Sequence, residues 1–169
     1  ANQTSIVDGA RLIDLLAASP EVELAAIFAP EHGVDGVADA GEAIDYTEDR
    51  VVEVPVFSLY GSTEARKPTP EMLDGLDALL FDLQDVGTRF YTYISTMGLA
   101  MAAAAEADIP FVVLDRPNPQ GGVAVEGFVR DADQVSFISQ YPIPARYGMT
   151  AGELARAIES LEGGRLIDW

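Results

Sequence analysis

The chain has 169 residues, with 10 Lys and Arg against 28 Asp and Glu, for a formal net charge of −18. A charge so negative repels nucleic-acid phosphates and anionic membrane surfaces, which argues against a nucleic-acid binder or a peripheral membrane protein. Aliphatic and aromatic residues at 49% exclude a disordered acidic tail, and the absence of cysteine removes disulfides, thiolate metal sites and a thiol nucleophile. At this length one core that buries roughly 70% of the unfolded chain's surface is expected, hence one domain over residues 1–169.

In chain order, Asp8 is placed to cap a helix running to about Ala18, with Leu12, Ile13, Leu15 and Leu16 at helical spacing and Ser19-Pro20 as the stop. Leu24 to Phe28 reads as a short buried strand, followed by a Gly-rich stretch from Pro30 to Gly41. Val54 to Leu59 is a second strand, and Thr69-Pro70 opens a short helix to about Leu73. Ala78 to Leu83 predicts a third strand, Thr92 to Ala107 an alanine-rich crossover helix, and Phe111 to Leu114 a fourth strand. A last helix starts after Thr150, where Thr150 and Glu153 have capping-box spacing, so Glu153 reads as a cap partner rather than a catalytic acid. Short apolar strands alternating with helices predict βαβ units: an α/β fold with a parallel sheet flanked by helices.

No apolar run approaches the ~18 residues of a membrane span, and no basic-then-apolar secretory pattern opens the chain. The polar start, which leads straight into a helix, and the close on Leu166–Trp169 predict truncation at both ends and a missing flanking strand. Asn2-Gln-Thr4 matches a glycosylation sequon too short to carry weight.

In open α/β sheets ligands bind beyond the carboxyl ends of the strands. Three segments follow such ends: Pro30-Glu31-His32-Gly33; Asp82 through Gln84, Asp85, Gly87 and Arg89 to Tyr93; and Asp115 through Arg116, Asn118 and Gly122, with Glu126 beyond. They gather the single histidine, several carboxylates, two arginines and two tyrosines. Structural alternatives stand beside the functional ones: Asp82 and Asp115 are equally suited to cap helices or to pair with Arg89 and Arg116. Glu31 and His32 point opposite ways on an extended segment, so both face one crevice only on a turn, which Pro30 and Gly33 favour. Tyr91 and Tyr93 share a face if extended, as a platform for a sugar ring, or else serve as core aromatics. No dinucleotide fingerprint, P-loop, nucleophile elbow or H-E-x-x-H spacing occurs. A metal site from Glu31, His32, Asp82 and Asp85 is allowed by ligand type alone.

The runs Phe28-Ala-Pro-Glu-His-Gly33, Ser58-Leu-Tyr-Gly61, Lys67-Pro-Thr69, Phe81-Asp-Leu-Gln-Asp-Val-Gly-Thr-Arg-Phe-Tyr-Thr-Tyr93, Leu114-Asp-Arg-Pro-Asn-Pro119, Glu126-Gly127 and Gly148-Met-Thr150 resemble the NamZ-type exo-β-N-acetylmuramidases, in the family's order and over nearly the whole chain. The resemblance implies a Rossmann-like N-terminal domain, of which this chain is the match. A smaller C-terminal domain, absent from the chain, would act as its partner at the cleft. It also implies removal of N-acetylmuramic acid from the non-reducing end of peptidoglycan fragments without a nucleotide or metal cofactor. The setting it implies is extracytoplasmic, secreted or periplasmic, with a cytoplasmic one as the alternative.

Hydrolysis of a glycosidic bond takes a carboxylic acid to protonate the leaving oxygen and a second carboxylate as base or nucleophile. Under that resemblance Glu31 is the expected acid, His32 its hydrogen-bonding neighbour, and Glu126 the second carboxylate, with Asp82, Asp85 and Asp115 behind it. Arg89 or Arg116 would grip the lactyl carboxylate of N-acetylmuramic acid through two parallel hydrogen bonds. Tyr91 and Tyr93 would stack on or bond the sugar, with Asn118 among the substrate-binding residues. The chain departs from the family at Tyr147, where the run Arg-His-Gly-Met-Thr has histidine; tyrosine donates or accepts a hydrogen bond but does not titrate near neutral pH. A sugar-binding domain without catalysis and a metal-dependent hydrolase are the alternative readings.

Overall fold

A computed structural model describes residues 1–37, 39, 47–48, 52–60 and 66–161. Gly41, Gly61 and the closing Leu166–Trp169 lie outside the described residues. The chain divides into two compact units, Ala1–Leu76 and the part from Asp77 onward.

The first unit opens with an antiparallel hairpin, β1 (Ile6–Val7) against β2 (Ala10–Arg11). Asp8 and Gly9 close it, both left-handed at φ 49° and 84°. A two-residue hairpin turn of the primed type needs positive φ at both central positions, and Asp-Gly supplies it cheaply. Asp8 is therefore a turn residue and not the helix cap that its spacing predicts. The helix itself, α1 (Leu12–Ala17), starts after Arg11 with no side-chain cap. Arg11 instead pairs with Asp14 one turn on, at 2.7 Å.

Beyond α1, β3 (Ile27–Ala29) runs parallel to β5 (Pro55–Ser58), and β4 (Thr47–Glu48) adds antiparallel on the other side of β5. The register sets Phe28 opposite Phe57, with ring centroids 5.5 Å apart. Ile13, Ile27, Ala29 and Val56 form the core of this unit, and Leu24, Val34, Val52 and Val54 pack against it. The short helix α2 (Pro70–Leu73) begins on proline as predicted, because the missing N–H of Pro70 falls where a helix has no acceptor for it.

The second unit is a βαβ element with one more helix. β6 (Leu79–Phe81) and β7 (Phe111–Val113) are parallel, in the register Leu79↔Phe111 and Phe81↔Val113. Parallel strands need a crossover, and α3 (Tyr93–Glu106) supplies it. Ten of its fourteen residues are buried, which its small side chains, alanine above all, make possible. α4 (Ala151–Leu161) packs against α3 and β7 through Leu154, Ala155 and Ile158. Thr150 and Glu153 close the predicted capping box: the Thr150 amide donates to Glu153 at 2.9 Å, and the Glu153 amide to Thr150 Oγ1 at 3.2 Å. The α/β character expected of the sequence is thus present, with the sheets in short pieces. Among the described residues no helix is long and apolar enough to cross a membrane.

Gly98 lies in the middle of α3, directly under Tyr141, whose hydroxyl and ring occupy the place a Cβ would take. Gly98→Ala should therefore lower stability by about 1–3 kcal/mol in urea unfolding despite alanine's better helix propensity. Unchanged or raised stability would show that Tyr141 moves aside freely.

Candidate active site

In the first unit the strand end of β3 leads into a tight turn. The Gly33 amide donates to the Pro30 carbonyl at 3.0 Å, and His32, at the third position, is left-handed at φ 73°. That is the pattern of a type II turn, where glycine or asparagine is usual and histidine is strained. The turn brings Glu31 to Tyr60, which follows β5 and donates its hydroxyl to the Glu31 carboxylate. The Arg66 guanidinium lies over the Tyr60 ring, 4.4 Å from its centroid. Burial, and then the Glu31 charge, push the Tyr60 phenol up from its ordinary value, so it remains a donor. The result is a half-buried carboxylate with one oriented phenolic donor.

In the second unit the parallel register sets the residues after β6 beside those after β7. Asp82, only 2% exposed, receives a two-pronged grip from Arg116, Nε to Oδ1 at 2.5 Å and Nη2 to Oδ2 at 2.9 Å. That bond raises the Arg116 guanidinium further above its ordinary value. Asp115 receives the Thr150 hydroxyl at 2.7 Å and the Gly152 amide at 2.8 Å, and so ties β7 to the start of α4. Both aspartates thus have the structural partners that the sequence left open as one of two readings.

Asp85 is 7% exposed, and its Oδ2 accepts from the Gly87 amide at 2.7 Å and from the hydroxyl of Tyr147, which is 3% exposed. Burial pushes the Asp85 carboxyl up, partly offset by the hydrogen bonds of Tyr147 and the Gly87 and Val86 amides. Its Oδ1 is buried without a partner among the described residues. The loop carrying Asp85 is stitched to the segment before α4. Thr88 pairs with Arg146, the Arg89 amide donates to Ala145 at 2.8 Å, and Arg89 Nη1 donates to the carbonyls of Phe128 and Ile143. Asn118 donates to the Met149 carbonyl at 2.8 Å and packs on Gly87, whose φ of +80° and lack of a Cβ admit it.

The chain matches, over residues 1–165, the family model described as exo-beta-N-acetylmuramidase NamZ, N-terminal. It belongs to this family. It is 57% identical over 143 residues to the peptidoglycan beta-N-acetylmuramidase NamZ of Bacillus subtilis (strain 168), a match that spans 85% of this chain and 34% of that protein. Two crystal structures of DUF1343 family proteins from Bacteroides fragilis NCTC 9343 superpose over 99% of the chain. They do so with TM-scores of 0.85 and 0.82 at 46% and 37% identity, and 41% and 43% of their own lengths are covered. The chain thus spans less than half the length of these relatives.

Within this family member the expected site residues fall into groups. Asp82, Asp85, Arg89, Asp115, Arg116 and Asn118 all belong to the strand-end network of the second unit. Glu126 lies farther along, its side chain 65% exposed in an ion pair with Arg146 at 2.9 Å. Tyr93 is 2% exposed at the start of α3, with the Tyr91 ring edge-on to it at 4.7 Å. The helix start turns the two tyrosines apart from the shared extended face, so Tyr93 is a core aromatic and not an open platform. Asn2 is buried, its side-chain carbonyl accepting the Thr4 amide and hydroxyl, which removes the sequon as a surface site. Sequence reasoning missed Tyr60 as a partner of Glu31, and Arg66 over the Tyr60 ring; the Ser58-Leu-Tyr-Gly61 run directly after a strand was the available signal. No group of three or more His, Asp or Glu placed to hold a metal ion occurs among the described residues.

Removing one partner of a buried ion pair strands the other charge, which costs about 3–5 kcal/mol. Arg116→Met should destabilise the protein by that order in urea unfolding, and Asp82→Leu added to it should recover most of the loss. A single-variant loss under about 1 kcal/mol would mean that water reaches Asp82.

Proposed function

We propose that this chain is the N-terminal part of a glycoside hydrolase that removes N-acetylmuramic acid from the non-reducing end of peptidoglycan fragments. Family membership and the likeness to the Bacillus subtilis enzyme support the reading. Glu31 is the structural observation that carries it: a carboxyl at a strand end, presented by a turn that forces His32 left-handed and held by the Tyr60 phenol. Strain of this kind is kept where the surroundings hold it, commonly at functional sites. A carboxyl held in this way is suited to carry the proton that the leaving oxygen needs.

Under this reading the lactyl carboxylate of N-acetylmuramic acid falls to Arg89. Arg116 already grips Asp82 through two nitrogens, whereas Arg89 Nε and Nη2 bond nothing among the described residues. Glu126, exposed and paired with Arg146, is better suited to bind polar sugar groups than to act as a desolvated second carboxylate. A C-terminal domain like that of the longer relatives would complete the substrate site, and the reaction would run outside the cytoplasm, where peptidoglycan is exposed.

Incubating the intact protein with a chromogenic β-N-acetylmuramic acid glycoside, beside its N-acetylglucosamine counterpart, tests this directly. Release from the muramic compound alone, unaffected by chelator, is expected, and Glu31→Gln should lower kcat by about 10²–10⁴-fold with an unchanged melting temperature. Saturable binding without release would make it a sugar-binding module, and loss on chelation restored by a divalent ion would make it metal-dependent.

A further inference from the structure

Parallel strands deliver equivalent positions of two loops to one edge of a sheet, and β3 and β5 do this for Glu31 and Tyr60. The register pairs Ala29 with Ser58, and the Leu59 amide extends the pairing by donating to the Ala29 carbonyl at 2.9 Å. Glu31 and Tyr60 each stand two residues past that pair. Local bonds fix the backbone on both sides: the Gly33 amide donates to the Pro30 carbonyl at 3.0 Å, and the Tyr60 amide to Ser58 Oγ at 3.1 Å. Both side chains are half-buried, and the phenol donates to the carboxylate. Arg66 lies on the face of the phenol ring, 4.4 Å from its centroid. Carboxyl, phenol and guanidinium thus form a row within the first unit, of which the proposed reaction uses only the carboxyl.

We propose that Tyr60 is a positioning residue of the hydrolase, holding Glu31 by a hydrogen bond that strengthens as the carboxyl gives up its proton, and that the Arg66 charge on the ring makes Tyr60 a better donor. This rests on the glycosidase reading with Glu31 as its general acid. The glycosidic C–O bond breaks with its electron pair passing to the leaving oxygen, and that oxygen takes the Glu31 proton. The sugar ring is left with the positive charge, for the nucleophile to quench, and Glu31 is left a carboxylate.

The energetics follow from that change of charge. A hydrogen bond to a carboxylate is roughly twice as strong as one to a neutral carboxyl. The bond from Tyr60 therefore gains strength as the transition state forms, which lowers the barrier without tightening the hold on the substrate. A cation on the ring face draws electron density from the ring, so the O–H becomes more acidic and donates more strongly. Tyr60 keeps its own proton throughout: burial and the Glu31 charge push the phenol up, and the Arg66 charge draws it only part of the way back.

The test is kinetics on the chromogenic muramic glycoside with the intact protein, beside ultraviolet titration of its tyrosines, in which Tyr60→Phe identifies the Tyr60 signal by difference. Tyr60→Phe keeps the ring and removes the donor, and should lower kcat by about 10–100-fold with KM little changed. Arg66→Gln should lower kcat by about 2–5-fold, and Arg66→Lys, which keeps the charge, should retain most of the activity. In the titration, Glu31→Gln should let Tyr60 ionise at lower pH, and Arg66→Gln should move it to higher pH. A kcat unchanged in Tyr60→Phe, or a loss confined to KM, overturns the positioning role. Equal losses in Arg66→Gln and Arg66→Lys, or no loss in either, overturn the part given to the Arg66 charge. A Tyr60 ionisation unmoved in Glu31→Gln overturns the contact itself. A wild-type protein that cleaves neither glycoside overturns the glycosidase reading, and wild-type kcat in Glu31→Gln overturns its general acid; both are seen before the Tyr60 and Arg66 variants are compared.

Discussion

The parallel pairing of β6 with β7 is the constraint on which the second unit depends. Parallel strands leave their carboxyl ends at the same edge, so the register that sets Phe81 against Val113 also brings Asp82 and Asp115 onto neighbouring positions. Asp82 is almost wholly out of water, and its desolvation is offset by the two-pronged bond from Arg116, which begins one residue past Asp115. Asp115 turns the other way and serves the start of α4. The strand ends are thus held by charge-assisted bonds that are geometrically specific, which is what a loop cluster needs if it is to keep a catalytic group in place.

The segment from Ile143 to Thr150 is the second support. It has no helix or strand of its own, yet it accepts bonds from Arg89, Asn118 and the Glu126 amide and donates to Asp85 through Tyr147, while Thr150 caps the helix that follows. Long loops of this kind are common where a fold is used for function. Here the loop's polar backbone is satisfied by side chains from two other strand-end loops. Tyr147 lies at the centre of this arrangement, and that placement makes its hydroxyl a partner of the buried Asp85 carboxyl.

The first unit solves a different problem. Glu31 and His32 are adjacent, and a strand would send them to opposite faces. The turn at Pro30–Gly33 takes the pair out of extended geometry, with the histidine left-handed. Glycine at that position would remove the strain. Tyr60 and Arg66 complete the surroundings of Glu31 from the other side of the β3–β5 pair, and the phenol is kept a donor by burial and by the carboxylate it serves.

Several features were legible in the chain alone, because local chemistry determines them. The strand at Phe111, the crossover helix from Tyr93, the proline start of α2 and the Thr150–Glu153 capping box each follow from periodicity or from a cap whose partners lie within four residues. The family, too, could be read from contiguous runs at strand ends. Other features depended on how elements pair and start, several of them on contacts between residues tens of positions apart in sequence, which no local pattern encodes. Asp8 reads as a helix cap from its spacing, and pairing of Ile6–Val7 with Ala10–Arg11 made it a hairpin turn instead. Asp82 and Asp115 were ambiguous between chemistry and support until Arg116 and Thr150 were seen on them. Tyr93 became core and not platform because the helix starts on it. Tyr60 at Glu31 and Tyr147 at Asp85 were invisible for the same reason: a hydrogen bond between side chains exists only where tertiary structure brings donor and acceptor together, and burial then sets which of them holds the proton.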